Sequence, residues 1–428
     1  MSEALKIAVA GLGTVGGGTV RLLAEHAGLL AERAGRPLRL VATAALERPA
    51  DLPLDGIPTF TDARRLIAET EFDVLVELMG GSGGIALEVA TAALAKGRHV
   101  VTANKAMIAH HGARLAELAE TSGGVFAFEA AVAGGIPVIK ALREGLAANR
   151  LQQVYGILNG TCNYILTTMR ESGRDFAEVL AEAQALGYAE ADPSFDIDGV
   201  DTAHKLAILT SLAFGTVIDL DRVHIEGIRH VSALDIQYAE ELGYRIKLLG
   251  VARRTAAGVE QRVHPCMVPI RSSIGRVDGV FNAVVAEGDY VGRTVFEGRG
   301  AGANPTASAV VADLLDIATG RRTPTFGIPW HRLQALEPAP MEGHRGAYYI
   351  RLMVLDVPGV FADIAAALRD EEVSMEAVLQ RGRAPGETVP VVLTVHDTLE
   401  AAMMRAIGRI SRIDAVVETP RLIRIEDF

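Results

Sequence analysis

The stretch Lys6-Ile7-Ala8-Val9-Ala10-Gly11-Leu12-Gly13-Thr14-Val15-Gly16 constrains this chain more than any other. A short apolar strand runs into G-x-G-x-x-G, and a periodic apolar segment from Val15 to Leu30 follows. Strand, glycine turn and helix in that order open a dinucleotide-binding fold. Gly11 permits the tight turn, Gly13 lets backbone approach a pyrophosphate, and Gly16 lets helix pack closely on strand. Thr14 and Val15 start the helix whose N-terminus would face the phosphates. A glycine-rich turn can serve packing alone, but the flanking strand and helix favour the nucleotide reading.

The alternation continues over residues 1–135. Lys6–Ala10, Leu38–Ala44, Val74–Leu78, His99–Thr102 and Val125–Phe128 read as strands separated by helical patterns, which specifies a parallel, doubly wound sheet of Rossmann type. Gly80-Gly81-Ser82-Gly83-Gly84 is a turn at a strand's carboxyl end, where such sheets bind ligands. Residues 136–303 read as an α+β unit, with helices near 136–147, 161–171, 175–186, 200–214 and 232–243. Its strands are Gln153–Leu158, Ile246–Ala252, Glu260–Val268 and Gly279–Val285. The helix Pro305–Ala318, within 304–319, returns to the first unit. Residues 320–347, with Pro324, Pro329, Pro338 and Pro340, read as a linker.

The last segment, 348–428, is compact. Strand Tyr348–Leu355, turn Asp356-Val357-Pro358-Gly359, helix Val360–Glu371, strands Val373–Gln380 and Val389–His396, helix Leu399–Gly408 and strand Val416–Ile425 give βαββαβ. That order is a small ferredoxin-like domain.

At 428 residues the chain exceeds one hydrophobic core, so two or three domains are expected. A formal net charge of −11 argues against nucleic acid or an anionic membrane as partner and favours small molecules. Cys162 and Cys266 are too few for a disulfide framework and lie in no metal-ligand spacing, and the histidines show no H-x-x-x-H. Met1 leads into a strand within a few residues, without a signal-peptide pattern, and no stretch qualifies as a membrane span. A cytoplasmic protein is expected.

Asp201 and Lys205 stand i, i+4 on a helical pattern, so a carboxylate can position an ammonium. Taken alone, such a pair is more often a solvated surface feature. The preceding loop, Glu190 to Asp198, holds four further carboxylates in nine residues and suits a substrate carrying an amine. Lys105 follows the fourth strand, at the sheet edge where cofactor and substrate meet. Two lysines near a nicotinamide ring suit hydride transfer between alcohol and carbonyl, one moving the hydroxyl proton while positive charge stabilises alkoxide. Cys162 opens a helix whose dipole would lower a thiol pKa, which raises a nucleophile hypothesis against the plainer reading of a buried thiol.

Three motifs carry a family resemblance: Thr102-Ala103-Asn104-Lys105, Asn159-Gly160-Thr161-Cys162-Asn163-Tyr164-Ile165-Leu166, and Gly187-Tyr188-Ala189-Glu190 through Asp192-Pro193, Asp196, Gly199 and Asp201 to Lys205. With them the chain resembles homoserine dehydrogenases, in the monofunctional bacterial form with a C-terminal ACT domain, over essentially its whole length. The resemblance implies reversible NAD(P)-dependent interconversion of L-homoserine and L-aspartate 4-semialdehyde on the route to threonine, isoleucine and methionine. Residues 136–303 would then bind substrate and form a homodimer or homotetramer.

By the same resemblance Lys205 is the acid/base group, Lys105 the second catalytic lysine and Asp201 an orienting carboxylate. Glu190 would bind the substrate amine, Asp196 would support that site, and Thr102, Lys105 and Gly302 would border the cofactor. A monovalent cation, sodium, would take the Glu129 carboxylate and the backbone carbonyls of Val132, Gly134 and Ile136. L-threonine would be an effector at the turn holding Asp356 and Gly359.

One stretch departs from the pattern. Ala45-Leu46-Glu47-Arg48 stands where relatives often carry an arginine for the NADP phosphate. Glu47 suits an unphosphorylated ribose and Arg48 a phosphate, so NAD and NADP both stay open. The competing readings are an aldehyde-oxidising dehydrogenase using Cys162 and a non-catalytic amino-acid sensor built on a nucleotide fold.

Overall fold

A computed structural model describes residues 3–335, 337–381 and 386–428. Residues 1, 2, 336 and 382–385, which fall in the first unit, the linker and the third unit as read above, lie outside the described residues. In the first unit, β1 (Leu5–Ala10), α1 (Thr14–Glu25), α2 (Ala27–Ala34), β2 (Leu38–Ala44), β3 (Thr59–Phe60) and α3 (Ala63–Glu69) are followed by β4 (Val74–Glu77), α4 (Gly84–Ala95), β5 (His99–Thr102), α5 (Lys105–Ser122) and β6 (Phe126–Ala127). Parallel pairing gives the order β3-β2-β1-β4-β5-β6. Both faces are covered, which is why the central strands are nearly uninterrupted apolar runs. Ile7 and Val9 join one apolar layer, while Ala8 and Ala10 join the other with Leu66 and Val89.

The periodic segment Val15–Leu30 is two helices, not one. His26 (φ −104, ψ 17) ends the first and starts the second. The two-residue β3 carried too little pattern to be read beforehand.

The middle unit holds α6 (Val138–Lys140) with a π turn (Ala141–Gly145), β7 (Leu151–Ile157), α7 (Gly160–Ser172), α8 (Phe176–Ala185), α9 (Ser194–Ile197), α10 (Val200–Phe214) and β8 (His224–Ile225). It continues with α11 (Ala233–Glu241), β9 (Tyr244–Thr255), β10 (Gly258–Pro269), β11 (Phe281–Gly288), β12 (Gly292–Arg299) and α12 (Ala303–Ala318). α12 lies against α1 so closely that a Cβ on Gly18 would come within 2.8 Å of the Ala303 carbonyl oxygen. Its Val310 and Leu314 sit in the layer of Ile7 and Val9. β12 was not anticipated: as an edge strand its side chains alternate exposed and half-buried, and glycines interrupt its apolar signal.

The last unit runs β13 (Arg345–Leu355), α13 (Val360–Arg369), β14 (Met375–Gln380), β15 (Thr388–Leu399), α14 (Glu400–Ile410) and β16 (Arg421–Ile425), in sheet order β16-β13-β15-β14. β16 also pairs with β10, Cys266 opposite Arg424 and Met267 opposite Ile425. The middle and last units therefore share one sheet of ten strands. Residues 320–347, expected as a linker, pack against both the first and the middle unit, the Thr325 and Trp330 N–H groups donating to Glu120 of α5. Thr216 bridges to Gln334, Val259 bridges to Pro338, and Phe326 is buried. Buried Phe326 and these contacts anchor a stretch whose prolines and polar residues suggested a linker.

Candidate active site

The carboxyl ends of β1, β4 and β5 carry the first half of the site. Gly11 has φ +99, and a Cβ there would stand 2.4 Å from the Leu78 carbonyl oxygen. A Cβ on Gly16 would come within 1.9 Å of the Gly11 carbonyl oxygen. Those two glycines are required by the turn itself. Gly13 differs: a Cβ there meets nothing within 4 Å, and it caps α1 with no side-chain hydrogen bond. Gly13 and Thr14 are exposed at the start of α1, whose first N–H groups lack intrahelical partners and form the donor set an anionic pyrophosphate needs.

Thr102, expected beside the cofactor, is fully buried. Its hydroxyl donates to Glu77 Oε2 at 2.7 Å and accepts from the Asn104 N–H at 2.9 Å. Asn104 in turn accepts from the Met107 N–H at 3.0 Å, capping α5, and donates to the Gly81 carbonyl at 2.7 Å. This network, which sequence reasoning missed, ties the β4 and β5 turns together and aims Lys105, the first residue of α5, outward. Any contact of Thr102 with a cofactor would come from its main chain.

Lys105 points into a cleft of about 440 Å³ lined also by Asn159, Thr161, Tyr188, Asp196, Asp201 and Lys205, with Gly300 to Gly302 opposite. Asp201 is its organising charge. Lys205 Nζ lies 2.7 Å from Asp201 Oδ2, and Lys105 Nζ 3.1 Å from Asp201 Oδ1. Lys205 also donates to the Leu158 carbonyl at 2.7 Å, so two of its three ammonium hydrogens are engaged and one direction is left for a ligand. Asp201 is 3% exposed, so this pair is not the solvated surface pair its spacing suggested. Burial alone would raise the carboxyl, but Lys205 and then Lys105 outweigh it and hold the pKa to about 2.

Asn159 was missed as a site residue. Its Nδ2 donates to Asp196 Oδ1 and to Asp201 Oδ2, both at 2.8 Å, while its Oδ1 caps α7 through the Cys162 N–H. Of the acidic loop, only Asp196 lines the cleft; burial first, and then Asp201, raise its carboxyl above the usual range. Asp198 pairs with Arg229, Asp192 accepts from the Ser194 N–H, and Glu190 is exposed. The Phe195 ring centre lies 5.8 Å from Lys105 Nζ.

Cys162 follows the plainer of its two readings. Its thiol is fully buried, and burial, followed by the charges of Asp196 and Asp201, pushes it well above its ordinary pKa despite the helix start. Both effects work against a thiolate nucleophile. His264 and Cys266 of β10 meet Glu426, far off in sequence, in the seam between β10 and β16, where Arg262 hydrogen-bonds both His264 Nε2 at 2.8 Å and Glu426.

Two family models match the chain, the NAD binding domain of homoserine dehydrogenase over residues 11–129 and homoserine dehydrogenase over 137–315. Curated homoserine dehydrogenases of Neisseria gonorrhoeae and Pseudomonas aeruginosa are 47% and 45% identical, each alignment covering 99% of both chains. The chain belongs to the homoserine dehydrogenase family. A crystal structure of a homoserine dehydrogenase from Thiobacillus denitrificans superposes with a TM-score of 0.94 at 46% identity, covering 99% of each chain.

As a homoserine dehydrogenase this chain is an NAD(P)-dependent oxidoreductase acting on a small molecule. No helix among the described residues is long and apolar enough to cross a membrane. Gly302, with φ +120 at the start of α12, borders the cleft. Glu129 sits at the junction of the first two units, where Ile139 N–H and Lys140 N–H donate to its carboxylate at 2.9 and 2.8 Å. Nearby, Gly134 abuts the Gly300 carbonyl, and the Ile136 carbonyl accepts from the Val138 N–H. Val132 is buried beside them. In the last unit, Gly359 has φ +100 beside an open groove of about 550 Å³ bounded by Val357, Asp363, Arg409 and Arg412, and Asp356 begins the same turn.

Proposed function

We propose that the cleft interconverts L-homoserine and L-aspartate 4-semialdehyde, on the route to threonine, isoleucine and methionine, with Lys205 moving the hydroxyl proton and Lys105 stabilising developing charge on the same oxygen. The observation that carries this reading is two lysines on one buried carboxylate, both lining the cleft that Gly300 to Gly302 close before α12. A bound NAD or NADP, held by Gly11 to Gly16 and bordered by Gly302, supplies hydride acceptance and donation. Asp201 fixes both lysine side chains in place, so that charge on the substrate oxygen meets groups already oriented. Asn159 holds Asp201 and Asp196 in place.

Asp196 is the carboxylate within the cleft for the substrate ammonium. Glu190 joins it only if the exposed loop turns inward on binding. For the cofactor, Arg48 donates to the Leu54 carbonyl at 2.7 Å and Glu47 is exposed, which supports substantial activity with NAD. For sodium, Glu129 offers a buried carboxylate beside Asp313; burial and then Asp313 raise it to about 7, an environment a bound cation would relieve. The βαββαβ unit has the strand order of a ferredoxin-like fold and supports the reading of an ACT domain taking L-threonine near Asp356 and Gly359. Assembly as a homodimer or homotetramer is part of the same reading.

Homoserine oxidation followed at the nicotinamide absorbance, with NAD and NADP in turn, with and without sodium, tests the reading. Absence of turnover with either cofactor refutes it. Calorimetry at millimolar threonine tests the effector, and no binding removes it.

A further inference from the structure

The segment between β8 and α11 joins two parts of the molecule that the reaction does not obviously connect. On one side, Glu226 accepts two hydrogen bonds from Arg424 of β16, at 3.0 and 2.9 Å, and its N–H donates to the Val263 carbonyl of β10 at 2.7 Å. Arg424 is 3% exposed and is held from behind by Glu400 of α14. On the other side, the Ile228 N–H donates to the Ile197 carbonyl at 2.8 Å, and Gly227 is pressed so closely on α9 that a Cβ would lie 2.3 Å from that same oxygen. Arg229 donates to Ser194 Oγ at 2.9 Å and pairs with Asp198. α9 is therefore bracketed at both ends, and it carries Asp196 into the cleft and Phe195 over Lys105.

We propose that Glu226 and Arg424 are positioning residues for the substrate site, the C-terminal unit bracing α9 so that Asp196 meets the substrate's amino end. The proposal rests on the reading that Asp196 faces the substrate ammonium. Contacts run without a gap from Arg424 through Glu226 and the 227–229 backbone to α9, then from Asp196 through Asn159 to Asp201. Glu226 is the member to perturb, because Arg424 keeps Glu400 when Glu226 is neutralised and no buried charge is stranded. Besides Arg424, the Glu226 carboxylate faces His224, whose Nε2 is 2.7 Å away. Burial opposes its charge, but His224 and Arg424 hold the Glu226 carboxyl down to about 2, so the brace stays charged at working pH.

The test compares Glu226→Gln with Arg381→Ala, which removes a different ion pair, to Glu241 of α11, between the same two units. Steady-state kinetics with homoserine and nucleotide varied separately, and melting temperature, are read for each full-length variant. The expectation for Glu226→Gln is a homoserine KM raised about tenfold, with kcat and nucleotide KM within about twofold, the pattern of lost ground-state positioning. Arg381→Ala should leave all three unchanged. An unchanged homoserine KM in folded Glu226→Gln overturns the proposal. So does a fall in kcat and melting temperature with a rise in both KM values, which marks a purely structural pair. Asp196→Asn separates the underlying reading: if it leaves the homoserine KM unchanged, Asp196 does not bind the amine, whatever Glu226 does.

Discussion

Asp201→Asn removes one charge and keeps the shape of the side chain, so it isolates what the carboxylate does for the two lysines. The Asp201 carboxyl falls from an ordinary 3.8 to about 2 despite complete burial. At about 1.4 kcal/mol per pKa unit, the folded environment favours the charged form by roughly 2–3 kcal/mol. The folded value is depressed, so this contribution is fully present above the ordinary carboxylate range and lost only as pH falls from there toward 2. At neutral pH the variant therefore loses all of it, and its melting temperature drops measurably while the nucleotide unit stays intact. Catalysis suffers more than stability. Lys205 and Lys105, 2.7 and 3.1 Å from Asp201 oxygens, would face one neutral amide, and the reaction loses oriented acid/base chemistry worth about 10²–10⁴-fold. Homoserine oxidation measured from about pH 6 to 10, the usual span for lysine chemistry, should show kcat down at least about a hundredfold. A variant with kcat within twofold of the parent would refute the shared-carboxylate argument.

Lys205→Ala should lose about 10²–10⁴-fold in kcat with nucleotide KM nearly unchanged, because the side chain touches Asp201 and Leu158 rather than the glycine turn; retention of half the turnover would remove it from the acid/base role. Gly13→Ala should fold and melt like the parent but raise the nucleotide KM, whereas Gly16→Ala, forced within 1.9 Å of a carbonyl oxygen, should lose melting temperature as well. Equal behaviour of the two would contradict the division of labour within the turn. Thiol alkylation under native conditions should leave activity intact, since Cys162 and Cys266 are buried and their thiols are pushed up; rapid inactivation matched by labelling of Cys162 would restore the nucleophile reading.

Local physics made much of this molecule legible from residues alone. The run from Leu5 to Gly16 fixes strand, turn and helix because steric needs at Gly11 and Gly16 arise within a few residues. Asp201 and Lys205 share a helix face by 3.6-residue periodicity, and Asn104 and Asn159 stand where caps belong. What only the tertiary structure decided is who meets whom across the chain. Lys105 reaches Asp201 over an interval that no periodicity spans, and Asn159 reaches Asp196 and Asp201 the same way. At Cys162 the cost of burying a thiolate outweighs whatever a helix start offers, and at Asp201 burial turns a surface-type ion pair into a buried charge. The joining of β10 to β16, and with it the bracing of α9, depended on two strands from distant segments finding one register. Propensity acts along the chain, whereas desolvation and charge pairing act through space, and the site is made of the second kind.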